Sequence, residues 1–365
     1  MNTGRIEGSI HATQRNEVTM HTDCRRAPVL VTGGAGFVGS HVVRKLLARG
    51  ERVRVVDQLL YGSHGLAGVL TNPRLELVQG DVRDPATMRD AVSGVERVIA
   101  LAALVGDAAC DLDPGATHSI NLEATEVLAD ACARAGVKRV VFASTCSVYG
   151  ANGSAQLRED SWLNPVSSYA RTRLASEEIL RPRASDQSIV VLRLATVFGW
   201  SSRMRFDLLV NTFSAHAWFR RKIRVFGGSQ WRPNLHVRDA AEAFILASLA
   251  PDSAARGEVF NVGSDGENHT VMEIAQLVQA QLPETEIETA GDVVDRRDYR
   301  VSFEKIRRAL GFVTRFRVED GIAEIMDRLR AGEIANPDEP RYHNYQYLRT
   351  HGFSRASTPL VTTEP

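Results

Sequence analysis

Val29-Leu30-Val31-Thr32-Gly33-Gly34-Ala35-Gly36-Phe37-Val38-Gly39 opens as a short apolar strand and runs into glycines at positions 33, 36 and 39. Val38, Val42, Val43, Leu46 and Leu47 then recur at helical spacing, and Gly50 supplies the stop. In a strand–loop–helix unit of this kind Gly33 permits a tight turn, Gly36 lets backbone approach a pyrophosphate, and Gly39 lets helix and strand pack closely. The start of the helix presents unpaired N–H groups and the positive end of its dipole to phosphate oxygens. Phe37 and Val38 lie between the second and third glycines and complete the expected phosphate-side contacts. Asp57 follows 18 positions beyond Gly39, at the end of a second apolar run. There a carboxylate can accept from both ribose hydroxyls and would repel a 2′-phosphate, so the expected cofactor is NAD rather than NADP.

The rhythm continues outward. Strands are expected at residues 52–57, 75–78, 98–102, 137–144 and 189–194, with helices at 124–135 and 169–180 between them. Strands alternating with helices predict a doubly wound α/β fold whose parallel sheet is covered on both faces, with ligands at the carboxyl ends of the strands. After Gly199 the pattern changes to helices at 205–220, 240–250, 272–282 and 318–329 and a strand at 223–226. Residues 27–199 are thus read as a dinucleotide-binding Rossmann domain. Residues 200–350 form mostly a smaller lobe, interleaved with that core and covering the cleft. Residues 1–26 and 351–365 lack apolar periodicity and read as flexible tails.

Composition narrows the class of protein. In 365 residues Lys plus Arg number 44 and so do Asp plus Glu, which leaves no basic excess to hold a nucleic-acid backbone. No apolar run approaches the length of a membrane span. Cys24, Cys110, Cys132 and Cys146 are far apart, and the histidines form no HExxH-like cluster. Neither a metal nor a disulfide framework is expected, and reduced thiols in cytoplasm are the simplest reading.

Further motifs follow the glycine loop in order. They are Gly80-Asp81-Val82, Leu101-Ala102-Ala103, Asn121, Ser144-Thr145-Cys146-Ser147-Val148-Tyr149-Gly150 and Tyr169, then the runs 193–199, 232–239 and 296–299. Together they resemble the extended short-chain dehydrogenase/reductase family, whose best-known members modify nucleotide sugars, across residues 29–329. The resemblance implies that Asp81 and Val82 meet the adenine and that Leu101, Ala102 and Ala103 line the cofactor. It makes Thr145 the hydroxyl that assists catalysis and Tyr169 the acid/base. The cation four residues on, one helical turn away, supports that tyrosine and contacts the nicotinamide ribose. It also implies a nucleoside-diphosphate sugar as partner, held by Arg232, Arg297 and Asn211. A homodimer paired through the helices at 124–135 and 169–180 is implied as well.

Three positions depart from the family pattern. Position 173 is Arg where relatives carry Lys, keeping the charge but changing the shape of the donor. Cys146 and Ser147 stand where 4,6-dehydratases carry an Asp-Glu pair, which disfavours that dehydration. Thr196 occupies the place of an Asn that contacts the sugar nucleotide. Cys146 is read mainly as a small packing residue, with substrate contact as its other reading. Tyr149 and His236 are read as structural, and Asp239 as the cap of the next helix. These features point to an NAD-dependent nucleotide-sugar epimerase acting at C4. A 4-ketoreductase is the alternative, and a non-catalytic NAD-sensing protein is the alternative of another class.

Overall fold

The computed structural model describes residues 27–291 and 297–353, together with Met1. Seven parallel strands form its centre: β1 (Val29–Thr32), β2 (Val53–Asp57), β3 (Leu75–Gln79), β4 (Arg97–Ala100), β5 (Arg139–Thr145), β6 (Ser188–Leu194) and β7 (Val259–Val262). Their order is β7-β6-β5-β4-β1-β2-β3, so the order reverses beside β1. Alternate residues of each strand are buried on opposite faces. Val29, Val31, Val53, Val55 and Ile99 enter one apolar core, while Leu30, Val56, Val98, Val140 and Phe142 enter the other. Strands buried on both sides read as continuous apolar runs, which is how six of the seven are legible in the sequence. β7 was not anticipated. It is only four residues long and reaches the sheet after a long excursion through the lobe.

The first core is covered by α1 (Gly39–Ala48) and by a helix at Val237–Leu249. The second is covered by helices at Pro85–Ala91, Ala124–Ala135 and Ser168–Leu180. The expected α/β architecture is therefore present, and the chain after Gly199 returns to it twice, through Val237–Leu249 and through β7.

The lobe is built from helices Leu209–Arg220, Val271–Gln281 and Val318–Arg330 around a separate apolar cluster. Thr270 caps the second of these in a capping box with Glu273, as its position suggested. The helix expected to start at Arg205 begins instead at Leu209, and the residues before it run into the cleft. Another expectation changes hands. His236, not Asp239, caps Val237–Leu249 by accepting from the Arg238 N–H. The Asp239 carboxylate accepts from the N–H groups of Arg315 and Phe316 and so fastens the loop that leads to the last lobe helix. Of the expected tails at 1–26 and 351–365, residues 2–26 and 354–365 lie outside the described residues. Asn344–His351 forms a helix that packs Leu348 against Leu60 and Leu104. Among the described residues no helix is long and apolar enough to cross a membrane, and no group of three metal-ligating side chains occurs.

Candidate active site

A cleft of about 810 Å³ opens at the carboxyl ends of the strands, between the sheet and the lobe. That is where an open α/β sheet binds its ligand. Every expected cofactor contact lines it, from Gly33 through Asp57, Asp81 and Leu101 to Tyr169 and Arg173. The glycine loop fits a dinucleotide because only glycine leaves the cradle open. A Cβ on Gly39 would lie 2.1 Å from the Gly33 carbonyl oxygen, and one on Gly33, where φ is +72°, would lie 2.8 Å from the Ala102 nitrogen. Asp57 is half-buried and accepts from the N–H groups of Ala35 (2.9 Å) and Leu59 (2.8 Å). Burial pushes its carboxyl pKa up, against the pull of those two donors.

At the other end, Tyr169 stands in the first turn of Ser168–Leu180 with Arg173 one turn later on the same helix. Burial raises the Tyr169 pKa, and the Arg173 charge opposes the rise. The Arg173 guanidinium is itself buried and anchored by backbone: Nε and Nη2 donate to the Ala143 carbonyl at 3.2 and 2.6 Å, and the fork lies over the Phe142 ring. Thr145, at the end of β5, accepts from the Ser147 N–H at 3.1 Å, which leaves its own O–H able to donate. Asn121 braces this corner. Its Oδ1 accepts from Leu104 N at 2.8 Å and its Nδ2 donates to Leu104 O and to Thr172 Oγ1, tying the loop after β4 to the tyrosine helix. It lies in a π-helical turn, a deformation often found at functional sites.

On the lobe side, Thr196, Arg232 and Arg297 line the same cleft. Arg232 is buried and donates through Nη1 to the backbone oxygens of Trp231 and Arg297. Arg297 forms an ion pair with Asp107 across the cleft at 2.7 Å. Two expected contacts are not brought in. Asn211 is fully buried, and its amide is spent on Gly199 N, Gly199 O and Arg205 O, so it holds the lobe helix to the chain before it. Cys146 does not line the cleft; its thiol donates to the Arg193 carbonyl, and burial pushes its pKa up. It is a packing residue here. Tyr149 and His236 are buried and structural, as expected, the former hydrogen-bonded to Asn261 and Arg193.

Among the lining residues that escaped the sequence reading are Tyr61, Arg203, Arg205, Asp207 and Asn344. The Arg-x-Arg-x-Asp spacing after Gly199 was the available signal, but the helix expected from Arg205 absorbed it. Nothing in the sequence near Asn344 pointed to a cleft some 140 residues upstream.

The comparisons agree with this geometry. The model of the NAD dependent epimerase/dehydratase family matches residues 29–263. A UDP-glucuronic acid decarboxylase of Arabidopsis thaliana is 29% identical over 86% of this chain and 72% of its own. A UDP-glucose 4-epimerase of Neisseria meningitidis serogroup C is 30% identical over 69% of this chain and 81% of its own. The crystal structure of DesIV, a dTDP-glucose 4,6-dehydratase from Streptomyces venezuelae, contains NAD. It matches with a TM-score of 0.76 and 28% identity, covering 84% of this chain and 98% of that one. With its glycine cradle, the Asp57 carboxylate in the same cleft and this family match over most of its length, the chain belongs to the NAD-dependent epimerase/dehydratase family, and its cofactor is NAD.

Proposed function

We propose that the protein is a nucleotide-sugar epimerase that inverts C4 of the sugar through a transient 4-keto intermediate. The nucleoside diphosphate would sit on Arg232 and Arg297, whose guanidinium forks suit phosphate oxygens. In this reading Tyr169 takes the O4 proton of the sugar, Thr145 donates to the same oxygen, and the Arg173 charge stabilises the tyrosinate that Tyr169 must pass through. Bound NAD supplies the hydride acceptor and returns the hydride. Rotation of the keto sugar between the two transfers exposes its other face, and Tyr169 gives the proton back.

One observation favours epimerisation over dehydration. Loss of water from the sugar needs a spare acid and base beside Thr145, and among the described residues this cleft offers neither. Cys146 is turned away beneath it, and Ser147 offers only a hydroxyl, 3.3 Å from that of Tyr299. The nearby carboxylates are already engaged, Asp107 by Arg297 and Asp207 by Arg205. An epimerase needs no net oxidant or reductant, whereas a 4-ketoreductase consumes reduced cofactor.

The test is incubation of the purified protein with UDP- and dTDP-hexoses without added cofactor, with products resolved by NMR. The C4 epimer is expected, with no 4-keto-6-deoxy sugar. Accumulation of the latter, or turnover only with added NADH, would sink the proposal. A homodimer in the cytoplasm, paired through the helices Ala124–Ala135 and Ser168–Leu180, is the assembly this reading expects, and light scattering measures its mass directly.

A further inference from the structure

We propose that Arg203, from the lobe, and Tyr61, from the loop after β2, grip the diphosphate of bound NAD opposite the glycine loop. Both residues line the cavity that the loop lines. The Arg203 side chain is buried, with the residue only 5% exposed, yet its Nη1 has no hydrogen-bond partner. The Tyr61 hydroxyl is likewise buried without a partner. The guanidinium lies 4.2 Å from the centroid of the Tyr61 ring, so the two unused donors share one corner. Native proteins rarely leave buried donors unpaired, and such groups call for a partner that arrives later.

The charge balance of the corner points to an anion. Arg205 engages both oxygens of Asp207, through Nε at 2.8 Å and Nη2 at 3.1 Å. Among the described residues Arg203 donates only to the neutral amide of Asn344, whose Oδ1 accepts from Nη2 at 2.6 Å. Of these two neighbouring guanidinium groups only Arg205 has a carboxylate at hydrogen-bond distance among the described residues, and the Arg203 charge has no direct counter-ion there. Burial and the neighbouring Arg205 lower the Arg203 pKa to about 10, which still leaves it charged near neutrality. Asn344 also donates through Nδ2 to Val105 O, and its backbone N–H donates to Asp207 Oδ2. The helix Asn344–His351 thus holds the guanidinium in place, and Tyr347 supports the Tyr61 ring at 5.2 Å between centroids.

Position selects the diphosphate among possible anions. The Arg203 charge is felt at Asp57, on the ribose side, while that of its neighbour Arg205 is felt at Tyr169, on the reacting side. A dinucleotide that reaches from Asp57 to Tyr169 must carry its two phosphates between them. The glycine loop offers backbone N–H groups from one side, and Arg203 with Tyr61 offers a guanidinium and a hydroxyl from the other. Such a two-sided hold suits an enzyme whose cofactor must stay bound while the sugar is oxidised and reduced again.

The experiment is calorimetric titration of NAD+ into cofactor-stripped wild type, Arg203→Gln and Tyr61→Phe, with the melting temperature of each stripped protein and a parallel titration of UDP-glucose. Arg203→Gln should weaken NAD+ by roughly ten- to a hundredfold, the range for hydrogen bonds to charged groups. Tyr61→Phe should weaken it several-fold while the stripped protein melts at the same temperature or higher, because the deleted hydroxyl had no partner to lose. UDP-glucose affinity should not change. Should Arg203→Gln fail to fold, Tyr61→Phe decides alone. NAD+ affinity equal to wild type in the variants that fold overturns the proposal. A loss confined to UDP-glucose also overturns it and assigns the corner to the sugar substrate.

Discussion

The two walls of the cleft are built on different principles. The sheet-side wall is made by backbone: Gly33, Gly36 and Gly39 lie within one turn of chain, and what matters is the absence of side chains there. The lobe-side wall is made by side chains from segments far apart in sequence, Arg203 to Asp207, Arg232, Arg297 and Asn344. A backbone wall needs a short motif and tolerates little change. A side-chain wall can be altered residue by residue, which is how one fold serves epimerases, dehydratases and decarboxylases while keeping one cofactor.

This contrast makes separable predictions, the largest concerning chemistry. Tyr169→Phe removes the hydroxyl proposed as acid/base and should cut turnover by roughly 10²- to 10⁴-fold while NAD+ binding stays near that of wild type. Rapid-mix turnover alongside NAD+ titration reads both quantities, and a parallel loss of cofactor would blur the division between the walls. On the lobe side, Arg232→Ala should weaken nucleotide-sugar binding by about 1.5–3 kcal/mol with NAD+ affinity unchanged. Equal loss of both ligands would show that Arg232 chiefly holds the backbone oxygens of Trp231 and Arg297 in place.

On the backbone wall, Gly39→Ala places a Cβ 2.1 Å from Gly33 O and 2.8 Å from Gly34 Cα, so the loop must shift. Overpacking of this kind costs about 1–3 kcal/mol of stability. NAD+ affinity should fall with it, and the melting temperature of the stripped protein together with an NAD+ titration checks both. A variant that melts and binds as wild type would show that the cradle is not closed by sterics.

The smallest effect is expected at Arg173, where the walls meet. Arg173→Lys keeps the charge and should retain measurable activity, with the pH limb that reports Tyr169 ionisation little moved. Arg173→Ala removes the cation that opposes the burial-raised pKa of Tyr169, so that limb should move to higher pH. A pH–rate profile of the two variants decides, and an unmoved limb in Arg173→Ala would mean that the guanidinium serves Ala143 and Phe142 rather than the tyrosine.

Legibility in the sequence divided along the same line. The glycine loop and Asp57 could be read directly because each is a local pattern with a local cause, whereas Tyr169 came through resemblance to a family and Arg173 followed from it one helical turn on. Arg232 and Arg297 were found only through resemblance to a family. Asn211 was carried over in the same way, but the structure uses its amide to bind Gly199 and Arg205 backbone, a demand made by packing that no spacing announces. The helix expected from Arg205 was too long at its start because Phe206 and Leu208 extend the apolar pattern. In the folded chain those residues instead pack in an apolar cluster with Phe37 and Met204, and Arg203 and Arg205 just before them turn into the cleft.

By itself the sequence determined the alternating strands and helices, the dinucleotide cradle and the preference for NAD, since these follow from apolar periodicity, glycine sterics and the charge of one carboxylate. Tertiary structure alone decided which arginines share a cavity, that Cys146 lies beneath it, and that a helix near residue 344 braces Arg203. Those outcomes depend on which distant segments exclude water together, and burial, not residue type, determines whether a guanidinium is paired, anchored or left with a donor to spare.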